Sequence, residues 1–165
     1  MDFQFKSILI EKHHVGVVFC DSKNRLIGFG KKLDQISKKS ISSVINNDLS
    51  FKKRKSKSFD YAIVHEPNNL KLTKLYVFKL ADFSKYTLRD YQILGGHLFS
   101  LISFYQEEKV GLYLDGIVSK GISAVNVASE IILGSLLASY KFDKYKTINK
   151  KEKKTLKVKI YSANH

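Results

Sequence analysis

The nine residues from Asp115 to Ser123, Asp-Gly-Ile-Val-Ser-Lys-Gly-Ile-Ser, have the types and the setting to hold a ligand. They join an apolar run to a helical pattern, where free amides and a helix dipole can hold a phosphate with Lys120 nearby. The order differs from the eight-residue Walker loop, so a plain strand-to-helix connection is the competing reading. Gly28-Phe29-Gly30 has the first half of a dinucleotide-binding glycine motif. The third glycine is missing and no strong helix pattern opens there, so the segment reads as a turn at a strand end.

Other reactive side chains form weaker patterns. His13-His14 adjoins a strand, where neighbouring side chains point to opposite faces, so the two rings cannot readily share a metal. His65, His97 and His165 fall in no HExxH pattern, although His65 stands beside Glu66. Cys20 is the single cysteine, which excludes an internal disulfide and a cysteine-based zinc site and fits a small buried hydrophobe. No serine lies in a nucleophile elbow. The residues therefore yield no catalytic, cofactor-binding or metal-binding set.

The elements that must position these residues follow from periodicity. Phe3–Ile10 alternates, Val15–Cys20 is a β-branched run, and Arg25–Phe29 follows the turn Asp21–Asn24; these predict three consecutive strands. From Asp34 as N-cap, Ile36, Ile41, Val44 and Ile45 predict one short helix, ended by Asn46-Asn47-Asp48. Ser50–Ser58 is polar and reads as a loop. Phe59–Glu66 and Lys74–Leu80 read as strands around the turn Pro67–Asn69. Thr87-Leu88-Arg89-Asp90 has the form of a capping box, and Tyr91, Leu94, Leu98, Leu101 and Tyr105 then give an amphipathic stripe up to Gln106. Gly95 and Gly96 inside that helix each cost about 1 kcal/mol relative to alanine, so a neighbour must approach closely. Val110–Leu114 predicts a strand, and Ser123 can cap a helix through about Tyr140. Val125, Ala128, Ile131, Ile132, Leu136 and Leu137 make that helix apolar on more than one side, which predicts extensive burial. Thr155–Tyr161 alternates as a closing strand. The order predicts an α/β fold, a mixed sheet with helices packed on its faces.

Composition bounds the function. At 165 residues, 44% hydrophobic and 27% charged, the chain fits one globular domain that buries roughly 70% of its unfolded surface, not a disordered or coiled-coil chain. The apolar run near Ile131–Ala138 is well short of the roughly 20 residues that span a membrane. The N-terminus carries Asp2 and lacks a signal peptide's basic and apolar regions, so a cytoplasmic location is expected. Two runs dominate the net charge of +14: Lys52–Lys57 contributes +5 and Lys141–Lys159 +7. Arginine occurs only at Arg25, Arg54 and Arg89, whereas base-edge and bidentate phosphate recognition favours arginine. Solvated loops are therefore preferred over a nucleic-acid site, whose affinity would fall steeply with salt.

The segment Glu130–Thr147 contains Tyr140, Phe142, Asp143, Tyr145 and Lys146 in the pattern Y-x-F-D-x-Y-K. This resembles the end of the N-terminal domain in the cytosol (leucyl) aminopeptidase family. Leu88-Arg89 followed by Gly95-Gly96 is similar to that family's preceding helix, and Thr155–Tyr161 to its closing strand. The resemblance implies a macro-domain-like fold for residues 1–161, with residues 162–165 beginning a linker to a C-terminal catalytic domain. It further implies a homo-hexameric parent whose later motifs, such as N-T-D-A-E-G-R, hold two divalent metals, manganese or zinc. Such a parent releases N-terminal amino acids with metal-activated water and Lewis-acid polarisation of the peptide carbonyl. No string like N-T-D-A-E-G-R occurs here. The expectation is a non-catalytic accessory domain, inactive alone, with a free-standing basic module for nucleotide or nucleic acid as the alternative. Tyr140–Lys146 is expected to pack at a helix end.

Overall fold

Successive residues of a strand point to opposite faces, and Val15–Asp21 uses both. Val15, Val17 and Phe19 enter one core layer, Val18 and Cys20 the other. The Lys74–Leu80 strand divides in the same way: Tyr76, Phe78 and Leu80 point one way, Leu75 and Val77 the other. Strands with two buried faces need cover on both sides, and that requirement sets the architecture.

The computed structural model describes residues 1–6, 15–48, 51, 59–145 and 156–161. Strands β1 (Asp2–Lys6) and β2 (Val15–Asp21) are followed by helices α1 (Phe29–Ile36) and α2 (Ser40–Asn47). Then come β3 (Tyr61–His65), β4 (Lys74–Leu80), a 3-10 turn at Phe83–Lys85, and α3 (Leu88–Phe104). Strand β5 (Lys109–Tyr113), α4 (Ala124–Tyr145) and β6 (Lys157–Tyr161) complete the order. The six strands form one mixed sheet ordered β1-β6-β5-β2-β4-β3, parallel throughout except for the β3–β4 pair. Helices α3 and α4 cover one face; α1, α2 and Phe51 cover the other. The predicted mixed α/β sheet with helices on its faces is what forms.

Three local expectations are corrected. Arg25–Phe29 is not a strand: Leu26 makes one bridge to Cys20, and Phe29 opens α1. The helix expected from Asp34 is two helices, because Lys38 and Lys39 adopt positive φ (53° and 61°) and break the run. Asp34 lies inside α1, and its Oδ1 accepts the Ser42 N–H at 2.9 Å, so it caps the second helix from a distance. Finally, α4 is buried on one side only, with Val125, Leu133, Leu136, Leu137 and Tyr140 exposed.

The α3–α4 crossing explains the glycines. A Cβ on Gly95 would lie 2.1 Å from the Ile131 carbonyl oxygen, and one on Gly134 would lie 1.8 Å from that of Gln92. Backbone thus meets backbone, and Ser135 Oγ donates across the crossing to the Gly95 carbonyl at 3.0 Å. The capping box forms as expected: Asp90 N–H donates to Thr87 Oγ1, and Thr87 N–H donates to Asp90 Oδ2 at 2.7 Å.

Candidate functional site

In the sheet order the chain leaves β2 towards β4 through α1 and α2, and leaves β5 towards β6 through α4 on the opposite face. The boundary between β5 and β2 is therefore a topological switch point, where open α/β sheets place ligands beyond the carboxyl ends of their strands. Both glycine-bearing segments singled out by sequence converge there. Gly28 lies against Asp115: a Cβ on Gly28 would sit 1.7 Å from the Asp115 carbonyl oxygen, and one on Gly116 would sit 3.2 Å from Gly28 Cα. Gly28 has φ +51° and serves as N-cap of α1. The helix that the sequence did not suggest does open at this glycine pair.

The 115–123 loop is held down rather than open. Ile117 is fully buried, and its carbonyl accepts the Tyr91 hydroxyl at 2.7 Å. Ser119 Oγ, also buried, donates to the Tyr86 carbonyl at 2.9 Å. Burial raises the Tyr91 hydroxyl above the ordinary tyrosine range and pushes Tyr86 up to about 12, with the Asp90 carboxylate adding to the second. Both phenols stay protonated near neutrality. Ser123 Oγ accepts the Asn126 N–H at 3.2 Å, so it caps α4 and occupies one amide that an anion could have used. Lys120 is exposed, but the half-buried Asp115 brings a carboxylate to the same rim. This chemistry suits positioning and weak anion attraction; it contains no nucleophile and base held together.

The remaining candidates are dispersed. His65 is exposed at the end of β3, and Glu66 follows it in the left-handed region at φ +43°. His97 is exposed on α3 with its ring edge-on to Phe59 at 5.3 Å. Cys20 is buried as expected, and burial pushes its thiol up to about 12. Among the described residues no group of three His, Cys, Asp or Glu side chains could hold a metal ion, and no helix is long and apolar enough to cross a membrane. His13-His14, His165, the Lys52–Lys57 run and most of the Lys141–Lys159 run lie outside the described residues. Of the Tyr140–Lys146 motif, Tyr140 is 72% exposed, which corrects the expectation that it packs. Its other side chains lie outside what is described.

Sequence reasoning missed one polar centre. Glu107 Oε1 accepts both Lys74 Nζ and the hydroxyl of fully buried Tyr76, each at 2.8 Å. It lies at the foot of β4, far along the sheet from the 115–123 loop, and pins the end of α3 to the strand. The long separation between Lys74 and Glu107 leaves no local pattern to detect.

Comparisons with known proteins agree with this geometry. Residues 17–149 match the Cytosol aminopeptidase family, N-terminal domain. Probable cytosol aminopeptidases from two strains of Rickettsia bellii, OSU 85-389 and RML369-C, are each 32% identical over 138 residues, 84% of this chain. The chain spans 27% of the length of these curated relatives. Among solved structures, a mutant tomato leucine aminopeptidase superposes with TM-score 0.70 at 16% identity, covering 99% of this chain and 32% of that one. The macrodomain of Mycobacterium tuberculosis DarG gives TM-score 0.62 at 9% identity, over 96% of both chains. A mutant Oceanobacillus iheyensis macrodomain with ADPR gives 0.61 at 11% identity, over 99% of this chain and 84% of that one. The sheet is thus macrodomain-like in fold, and the chain belongs to the cytosol aminopeptidase family through its N-terminal domain.

Proposed function

We propose that this chain is the non-catalytic N-terminal domain of a cytoplasmic leucyl aminopeptidase, a two-metal exopeptidase that removes N-terminal amino acids from peptides. The observation that carries the reading is the family match over residues 17–149, set against the 27% of the relatives' length that the matched region covers. The described residues do not fit the two divalent metals, manganese or zinc, since no group of three suitable side chains gathers among them. In this reading the metal chemistry belongs to the C-terminal catalytic domain of a homo-hexameric enzyme. This domain's part is to pack against that catalytic domain.

The test begins with the source gene past codon 165. A frame that continues into clustered lysine, aspartate and glutamate ligands, and a full-length product that hydrolyses a leucyl anilide with added manganese, support the reading. Residues 1–165 alone are expected to show no hydrolysis. Activity in residues 1–165 that survives repurification, or a frame closing at codon 165, overturns it.

A nucleotide-binding module is the second reading, favoured by the 115–123 loop at the switch point of a macrodomain-like sheet. Calorimetric titration with ADP-ribose at low salt separates the two: saturable heat that Lys120→Glu abolishes supports the module, and no heat removes it.

A further inference from the structure

Helix α4 divides its surface unequally. Val127, Ala128, Ile131, Gly134 and Ser135 are buried. The other side exposes Val125 (67%), Leu133, Leu136, Leu137 (52%) and Tyr140. Residues spaced three and four apart share a helix face, so Leu133, Leu136, Leu137 and Tyr140 form one apolar strip, which the exposed Ser129 continues to Val125, about 22 Å in all at about 1.5 Å per residue. Ile93, also exposed, lies on α3 one turn before Gly96, which sits against Gly134 and Ala138 of α4. From Ala124 to Tyr140 the only charged residue is Glu130, in a chain that is 27% charged. Scattered exposed apolar residues are ordinary, but a mostly apolar, uncharged strip on one helix face marks an interaction surface. The opposite face differs: α1 and its C-terminal turn expose Lys31, Lys32, Lys38 and Lys39.

We propose that this strip of α4 is the docking surface for the catalytic domain of the same aminopeptidase subunit, an inference that rests on the function proposed above. The aminopeptidase relatives are nearly four times the matched length, so in them a larger body of chain is tethered to this domain and available to cover the strip. Burying the strip removes apolar area from water without desolvating a charge. A second copy of this chain is a poorer occupant, because each copy carries +14 and self-pairing brings like charges together.

Thiol labelling tests the assignment. Cys20 is buried with its thiol raised to about 12, so an introduced cysteine supplies the reactive group. Leu136→Cys on the strip and Lys31→Cys on the α1 face are labelled with a maleimide in residues 1–165 and in the full-length gene product. Leu136→Cys is expected to react as fast as Lys31→Cys in residues 1–165 and about tenfold more slowly in the full-length protein, where exposure controls the rate. Lys31→Cys should react equally in both. Equal rates for Leu136→Cys in the two contexts overturn the docking surface. Slowing that appears in residues 1–165 and grows with concentration also overturns it, by giving the strip to a second copy. Leucyl anilide hydrolysis by the full-length wild type separates the two claims. An active enzyme with fast-reacting Leu136→Cys refutes the docking alone, whereas an inactive full-length product refutes the functional reading beneath it.

Discussion

Glu107 illustrates how one residue can hold an element in place. The Tyr76 hydroxyl is buried, and burial together with the Glu107 carboxylate raises it above the ordinary tyrosine range, so it remains a donor that needs an acceptor. Glu107→Ala leaves that donor unpaired, and a cost of about 1–3 kcal/mol is expected, read as a lower urea midpoint at unchanged slope. Gly28→Ala is expected to be worse than its small size suggests, because φ +51° and the Asp115 carbonyl both exclude a Cβ. A loss of about 1–3 kcal/mol in the same measurement checks it. Asp90 gives a pH dependence. The Thr87 side-chain and backbone bonds lower its carboxyl below the ordinary 3.8. A carboxyl depressed on folding stabilises the fold above its unfolded value, and that contribution disappears as pH falls through the folded value. Urea midpoints should therefore drop from about pH 4 downward, and Thr87→Ala should flatten that acid limb.

Among the elements, α3 and α4 make the sharpest comparison. Gly95→Ala forces a Cβ to within 2.1 Å of the Ile131 carbonyl oxygen, while Gly96→Ala meets Gly134 at an ordinary 3.7 Å. Neighbouring substitutions should move thermal stability in opposite directions. Gly96→Ala is expected to gain up to about 1 kcal/mol from helix propensity, and Gly95→Ala to lose more than that as the crossing opens. The close approach was legible because two glycines in a strong amphipathic stripe need a reason. The capping box and Ser123 cap were legible because their signals are local. The start of α1 was not, since Gly28-Phe29-Gly30 looks like a turn until the Asp115 backbone is seen to require a glycine there. Nor was the break at Lys38 and Lys39: apolar spacing continues through it, and lysine gives no hint of positive φ. The exposed side of α4 was hidden for another reason, because composition tells how apolar a helix is and not what covers it.

For the whole molecule, the switch point carries the nucleotide-module reading, and the family match over residues 17–149 carries the aminopeptidase one. Its position was recoverable only in part from sequence: the 115–123 loop stood out, but its convergence with Gly28 depends on β5 and β2 being neighbours across nearly a hundred residues. The macrodomain-like sheet supplies the position, the Tyr91–Ile117 and Ser119–Tyr86 hydrogen bonds tie its loop down, and the Asp115 backbone packs against Gly28. The family match assigns the domain to the cytosol aminopeptidase family, which the fold alone does not do.

The pairing of β1 with β6, from Asp2 opposite Lys157 to Lys6 opposite Tyr161, has a consequence for synthesis. The earliest of the six described strands has the latest of the six as its sheet neighbour. With about 5–20 residues added per second, β1 waits on the order of ten seconds for its partner to be made. During that interval β5 also lacks one neighbour, so a nascent chain displays unpaired strand edges until translation has passed Tyr161.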